Sequence, residues 1–235
     1  MSEPDVILFD LDDTIVDFSW NMVSAWRDAC ELAAARTNAE VDALHASVLA
    51  IGNWYWADQA RSERGRRDLR VAGAEIVARA FEELGVRAAP ELPRVVSDHY
   101  RDLRNGGVRL FPRAVEVLEA LRGRGQRLGL VTNGTQAEQR GKIEQFDLEG
   151  HFEHIQIEGE FGLGKPHDEA YRHALARMGA APERTWFVGD NLEWDVSAPQ
   201  RHGMTGVWVD AAGDGVPAGS SHEPDRVIRN IVELL

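Results

Sequence analysis

Four short apolar runs stand out along the chain: Val6–Phe9, Leu128–Val131, Trp186–Val188 and Val207–Val209. Each is too short for a typical helix. Continuous apolar runs of this length predict strands buried on both faces, where no polar alternation is needed. His154–Ile157 is a weaker run of the same kind. Between the later runs the apolar spacing becomes helical. Val115, Leu118 and Leu121 share a predicted face after Pro112, with Gly123 or Gly125 ending the helix. Ala170, Tyr171, Ala174, Leu175 and Met178 trace another, closed by Gly179. Val227–Ile228 and Ile231–Leu235 predict a last short strand and a turn of helix. Strands alternating with helices predict an α/β fold, a parallel sheet covered by helices on both faces.

Residues 18–106 break this alternation. Apolar residues recur at helical spacing through Val23, Trp26, Cys30 and Ala33, then through Val41, Leu44, Val48 and Leu49. A third pattern runs from Ile76 to Leu84 before Gly85, and a fourth follows Pro90 from Leu92 to Leu103. No strand-like run interrupts them. The predicted organisation is a discontinuous α/β core, residues 1–17 and 107–235, with an all-helical insert at 18–106. Gly213–Ser221 is the clearest predicted loop.

Composition narrows the class. With 43% hydrophobic and 28% charged residues the chain has the balance of a soluble globular protein. No apolar run approaches the ~18 residues needed to span a bilayer, and no basic-then-apolar leader precedes Val6. A single cysteine, Cys30, excludes an internal disulfide framework and fits a reducing, cytoplasmic setting. A net charge of -13 argues against binding a nucleic-acid polymer. Lysine occurs only at Lys142 and Lys165, every other fixed cation being arginine. A lysine inside a plausible catalytic loop is therefore informative.

The chemistry gathers where strands end. The first run leads into Asp10-Leu11-Asp12-Asp13-Thr14, and ligands of open α/β sheets bind at the carboxyl ends of strands. Alternate carboxylates there suit a nucleophile beside a general acid/base; a polar capping turn is the plainer alternative. The second run ends in Thr132-Asn133-Gly134, which offers a hydroxyl, an amide and flexible backbone to phosphate oxygens. Lys165 sits in Gly162-Leu163-Gly164-Lys165-Pro166, and the third run ends in Gly189-Asp190-Asn191 with Asp195 beyond. Gathered acidic oxygens suit Mg²⁺. The eight histidines show no metal-ligand spacing.

These motifs, DLDDT, TNG, the GKP lysine and GDNLEWD in that order, resemble the haloacid dehalogenase superfamily, and the resemblance extends over essentially the whole chain. It implies a Rossmann-like core with the insert as a helical cap. It also implies roles. Asp10 would be the nucleophile that becomes phosphorylated, and Asp12 the acid that protonates the leaving oxygen and then activates water. Thr132, Asn133, Gly134 and Lys165 would hold the phosphoryl group. Mg²⁺ would be bound by Asp10, the Asp12 carbonyl and Asp190, with Asn191 and Asp195 in support, orienting Lys165 and metal-bound water. The superfamily's dehalogenases lack an aspartate at the position of Asp12 and its phosphatases carry one; a departing alkoxide needs a proton and a halide does not. A phosphonate-cleaving member would need a cap lysine, and the insert has none.

The resemblance thus implies a cytoplasmic phosphatase, monomeric or homodimeric, acting on a small-molecule phosphomonoester such as a nucleotide or sugar phosphate. It looks most like the nucleotidase and acylneuraminate-phosphate phosphatase members. A phosphosugar mutase, or a regulatory phosphate-binding protein without turnover, are the alternatives. Asp13 departs from a common glycine. Pro199, four residues beyond Asp195, predicts a helix that starts late, since proline is tolerated only in a first turn. In the insert, Trp54, Tyr55 and Trp56 precede Arg61, Arg64, Arg66, Arg67 and Arg70. They read either as a wall for substrate or as packing between helices, with Asp58, Glu63 and Asp68 pairing the arginines.

Overall fold

In the computed structural model, which describes residues 3–235, the chain divides into two compact units. One is formed by the chain up to Asp17 together with Arg109–Leu235, the other by Phe18–Val108.

The Phe18–Val108 unit is all helix: α1 (Met22–Ala34), α2 (Val41–Ala57), α3 (Gln59–Arg67), α4 (Leu69–Glu83) and α5 (Leu92–Gly106). Its core joins Trp26 and Cys30 from α1 to Leu44 and Val48 from α2, and these to Ile76 and Val77 from α4. Trp26 stacks on Tyr100 of α5 at 3.7 Å between ring centroids. Two details depart from the sequence reading. The inward face of α1 is Ala25, Trp26, Ala29, Cys30 and Ala33, while Val23 is exposed. And α3 is a helix that apolar spacing does not reveal. Its nine residues, QARSERGRR, carry no apolar stripe; the Asp58 side chain starts it by accepting from the Arg61 amide at 2.9 Å. Asp68 does the same for α4, accepting from the amides of Arg70 and Val71.

The aromatic cluster closes α2 and divides in two. Tyr55 is buried and its hydroxyl donates to Glu75 at 3.0 Å. Trp54 and Trp56 are exposed, with the guanidinium groups of Arg61 and Arg79 lying 3.8 Å and 4.2 Å from the Trp54 ring centroid.

The α/β unit opens with β1 (Val6–Phe9), followed by the two-residue β2 (Val16–Asp17). Beyond the helical unit come β3 (Arg109–Leu110), α6 (Ala114–Gly123), β4 (Arg127–Thr132), α7 (Gln136–Gln145), β5 (His154–Ile157), α8 (Glu158–Phe161) and α9 (Asp168–Met178). The chain closes with β6 (Thr185–Gly189), α10 (Ala198–Arg201), β7 (Thr205–Val209), β8 (Arg226–Ile228) and a turn of 3₁₀ helix at Ile231–Leu234. Six strands form one parallel sheet in the order β5-β4-β1-β6-β7-β8. β1 lies at its centre, with Leu8 level with Gly129 of β4 and with Phe187 of β6.

Strand side chains alternate between the two faces. Val6, Leu8, Val131 and Phe187 pack with Tyr171, Ala174 and Met178 of α9 and Ala198 of α10. α6 packs on β4 and against the closing 3₁₀ turn. Its buried side chains are Ala114, Val117, Leu118 and Leu121; the expected Val115 is only half-buried, because the helix begins at Ala114, two residues after Pro112.

Two further features were not legible in the pattern. β2 and β3 form a separate antiparallel ladder, Val16 against Leu110 and Asp17 against Arg109, and the Arg109 guanidinium closes on the Asp17 carboxylate at 2.7 Å and 2.9 Å. The segment after Asp190 is wound as a wide π-type turn over Leu192–Ser197 rather than an open loop. It passes directly into α10, where Pro199 occupies the first turn as its missing N–H requires.

Candidate active site

Parallel strands bring their carboxyl ends to one edge of the sheet. β1 leads into Asp10, β4 ends at Thr132, and β6 ends at Gly189 just before Asp190. Lys165 arrives from the segment between α8 and α9, preceding a cis Lys165–Pro166 peptide.

The Lys165 ammonium lies 2.8 Å from Asp10 Oδ1 and 2.6 Å from Asp195 Oδ1. Its side chain and that of Asp195 are each 1% exposed. The other oxygen of Asp195, Oδ2, accepts from the Asn191 amide at 3.0 Å. This close packing depends on Gly189, where a Cβ would drive into the Asp195 carboxylate. The Asp190 backbone is held by Trp208, whose indole N–H donates to its carbonyl at 2.7 Å. Tyr171, from beneath the sheet edge, donates to the Trp194 carbonyl at 2.6 Å and braces the π-type turn.

Asp10, Asp190 and Asp195 offer carboxylate oxygens that all lie within 4.8 Å of one another. Fully ionised, the three carboxylates would outnumber the one ammonium by two charges among the described residues. Burial pushes Asp10 up to about 7, against the pull of Lys165 and with a further push from Asp195. Burial also raises Asp190, and the charge of Asp10 adds to it. Burial alone would lower Lys165, but the Asp10 and Asp195 charges outweigh it and hold the ammonium firmly protonated.

An oxygen-only donor set with surplus negative charge fits a hard divalent cation such as Mg²⁺. Both Asp195 oxygens are already engaged. The residues suited to hold the cation are therefore Asp10 and Asp190, with Asp195 serving Lys165.

The Thr132-Asn133-Gly134 turn is tied to the Lys165 segment and to Glu158. The Asn133 side chain donates to the Lys165 carbonyl and accepts from the Lys165 amide, both at 2.7 Å. One N–H and the oxygen of its side chain are thus engaged by the backbone that carries the lysine. The Gly134 amide donates to Glu158 Oε2 at 3.0 Å. The approach is close on the other side too: a Cβ on Gly164 would meet Asn133 Oδ1 at 2.6 Å. The buried Thr132 hydroxyl accepts from Gln139 Nε2 at 2.6 Å and donates to the Asn133 carbonyl at 3.4 Å. Asn191 likewise spends its side chain locally, accepting from the amides of Glu193 and Trp194.

The Asp12 carboxylate stands outside the Asp10–Asp190–Asp195 group. It is gripped by Lys142, whose Nζ lies 2.7 Å and 2.8 Å from its two oxygens, and Gln139 Nε2 donates to it at 3.0 Å. No motif marks Gln139 and Lys142, because α7 carries only Ala137 and Ile143 as apolar side chains and shows no apolar stripe. The one signal for Lys142 was the scarcity of lysine.

Among the described residues no helix is long and apolar enough to cross a membrane. A family model for haloacid dehalogenase-like hydrolases matches residues 4–203. The phosphoserine phosphatase of Thermus thermophilus is 40% identical over 132 residues, 56% of this chain and 51% of its own, so the chain spans about half the length of that relative. A glyceraldehyde 3-phosphate phosphatase of Methanopyrus kandleri is 26% identical across 97% of this chain and 94% of its own. The phosphoglycolate phosphatase of Escherichia coli is 27% identical across 97% and 90%. In fold, the chain is similar to the HAD-hydrolase YfnB of Bacillus subtilis, solved with bound magnesium, at a TM-score of 0.78 and 24% identity over 99% of this chain and 97% of that one. The relatives named above are phosphatases, and the chain belongs to the haloacid dehalogenase-like hydrolase family.

Proposed function

We propose that the protein is a Mg²⁺-dependent phosphatase of a small-molecule phosphomonoester, a nucleotide or sugar phosphate, working through a phosphoryl group carried on Asp10. The observation that supports this most is the buried Lys165 ammonium in contact with Asp10. An anionic nucleophile can meet an anionic phosphate only beside fixed positive charge. When bound by Asp10, Asp190 and the Asp12 carbonyl, Mg²⁺ supplies further positive charge at the phosphoryl oxygens.

In this reading the Asp10 carboxylate attacks phosphorus while the bond from phosphorus to the alcohol oxygen breaks, and Asp12 gives that oxygen its proton. Asp12, now ionised, takes a proton from water. The water oxygen attacks the phosphorus of the aspartyl phosphate, which releases inorganic phosphate and restores the Asp10 carboxylate. The Thr132 hydroxyl and Lys165 hold the phosphoryl oxygens through both steps. Asn133 and Asp195 act one layer back, fixing the Lys165 backbone and ammonium. The helical unit is assigned the part of a cap that chooses the substrate, and the cytoplasm is the proposed setting.

The test is phosphate release from a panel of phosphorylated metabolites, including nucleotides, sugar phosphates, phosphoserine, glyceraldehyde 3-phosphate and phosphoglycolate. Each compound is assayed with Mg²⁺ and with chelator, and Asp10→Asn serves as control. Metal-dependent release that the variant abolishes is the expected result. Release that persists in Asp10→Asn would overturn the nucleophile.

A further inference from the structure

Gln139 and Lys142 stand one turn apart on α7, and the reaction above uses neither. Both side chains are buried, Gln139 at 2% and Lys142 at 7% exposure. Lys142 Nζ donates to Gln139 Oε1 at 2.8 Å. A lysine can only donate, so the end of the Gln139 amide that faces it must be the oxygen. That leaves Gln139 Nε2 pointing the other way, toward Thr132 Oγ1 at 2.6 Å, the Asn133 carbonyl at 2.9 Å and Asp12 Oδ2 at 3.0 Å. Lys142 meanwhile holds both Asp12 oxygens. The result is a closed polar circuit, Lys142 to Asp12 to Gln139 and back, with Thr132 attached through Gln139.

Such a circuit is a costly way to pack a helix. A buried ammonium and amide lose their hydration and recover it only through well-made bonds, and apolar residues of similar volume would pack at least as stably. The chain has two lysines and places both here, one on Asp10 and the other on Asp12.

We propose that Lys142 and Gln139 are positioning residues for the reaction. They lock the rotamer of Asp12, keep its carboxylate apart from the Asp10–Asp190–Asp195 group, and tie it to the Thr132 hydroxyl. The group that exchanges the proton and a group that holds the phosphate then keep one fixed spacing. The inference rests on the reading of Asp12 as the acid of a phosphatase.

The experiment compares two substrates that differ in their need for that proton. An alkyl phosphate from the panel has a leaving oxygen that must be protonated as it departs, whereas p-nitrophenyl phosphate leaves as a stable anion. The kinetic constant is kcat/KM, which ends at release of the alcohol and excludes the later hydrolysis of the phosphoenzyme common to both. For Lys142→Met, kcat/KM on the alkyl phosphate is expected to fall about 100-fold, the scale of a misplaced catalytic group. On p-nitrophenyl phosphate it should fall by no more than about threefold. Asp12→Asn should show the same selective pattern more strongly. A Lys142→Met variant that loses both substrates equally, or neither, overturns the positioning role.

If Asp12→Asn is selective and Lys142→Met is not, the phosphatase reading stands and this inference alone falls. If Asp12→Asn is itself unselective, the acid assignment falls and takes the inference with it. Gln139→Met keeps the Lys142–Asp12 ion pair, so it is read by the same criterion should Lys142→Met fail to give native circular dichroism.

Discussion

Lys165 bridges Asp10 and Asp195, its ammonium 2.8 Å from one carboxylate and 2.6 Å from the other. All three side chains are buried. Removing the lysine alone leaves two carboxylates facing each other without water. Breaking a buried ion pair from one side typically costs about 3–5 kcal/mol. Lys165→Met is therefore expected to lower unfolding free energy in urea by that order and to reduce kcat at least about 100-fold. Wild-type stability in this variant would refute the bridging role.

Asp10 gives a pH signature in the metal-free protein. Its folded-state pKa is pushed up to about 7 from the 3.8 of a free aspartate, mainly by burial. A carboxyl raised on folding binds its proton more tightly in the folded state. Its contribution to stability is complete below the unfolded pKa and is lost as pH rises through the folded one. In chelator, the urea midpoint of the wild type should fall between pH 4 and 7 more steeply than that of Asp10→Asn, which lacks the titrating group. Parallel profiles would show that Asp10 does not carry this linkage.

The surplus charge at the site predicts a stabilising cation. A ligand bound only by the folded state at a hundredfold excess over its Kd adds about 2.7 kcal/mol. Mg²⁺ should raise the melting temperature of the wild type. Asp190→Asn should remove the response while leaving the metal-free protein as stable or more so, because one of the repelling carboxylates is gone. An undiminished Mg²⁺ response in Asp190→Asn would exclude it as a ligand.

Asn133 predicts a defect at a distance. Its side chain makes two 2.7 Å hydrogen bonds to the Lys165 backbone, and Asn133→Ala leaves both backbone groups to find other partners. A loss of about 1–3 kcal/mol in stability is expected, the penalty of an unsatisfied buried group. kcat should fall as Lys165 loosens, and urea unfolding with steady-state kinetics reads both. Unchanged kinetics would mean that the lysine loop holds its shape without this clamp.

The strands were legible because each is a short apolar run cut off by turn residues, and a parallel sheet buried on both faces needs nothing more. The residues at the strand ends were legible because they follow those runs directly: Asp10 after Phe9, Thr132 after Val131, Asp190 after Gly189. What escaped lies where burial is polar. Gln139 and Lys142 belong to a helix that reads QAEQRGKIEQ, which looks solvent-facing. Their burial comes from contacts with Asp12 and Thr132, distant in the chain. α3 escaped for a related reason, since its start depends on a cap at Asp58 and not on an apolar stripe. The β2–β3 ladder escaped because two residues per strand carry no periodicity and their partners lie far apart.

That small ladder recasts the architecture. Asp17 and Arg109 are paired neighbours, so the chain leaves the α/β unit and returns to it at adjoining points, as in a β-hairpin. In topological terms all of Phe18–Val108 is an oversized hairpin loop. Closing a loop costs entropy that grows only with the logarithm of its length, about 0.6 kcal/mol for each doubling. Insertions of very different size could therefore be grafted onto the same two residues without redesigning the sheet. The graft point, more than the helices it carries, is what lets one sheet accept inserts of different length.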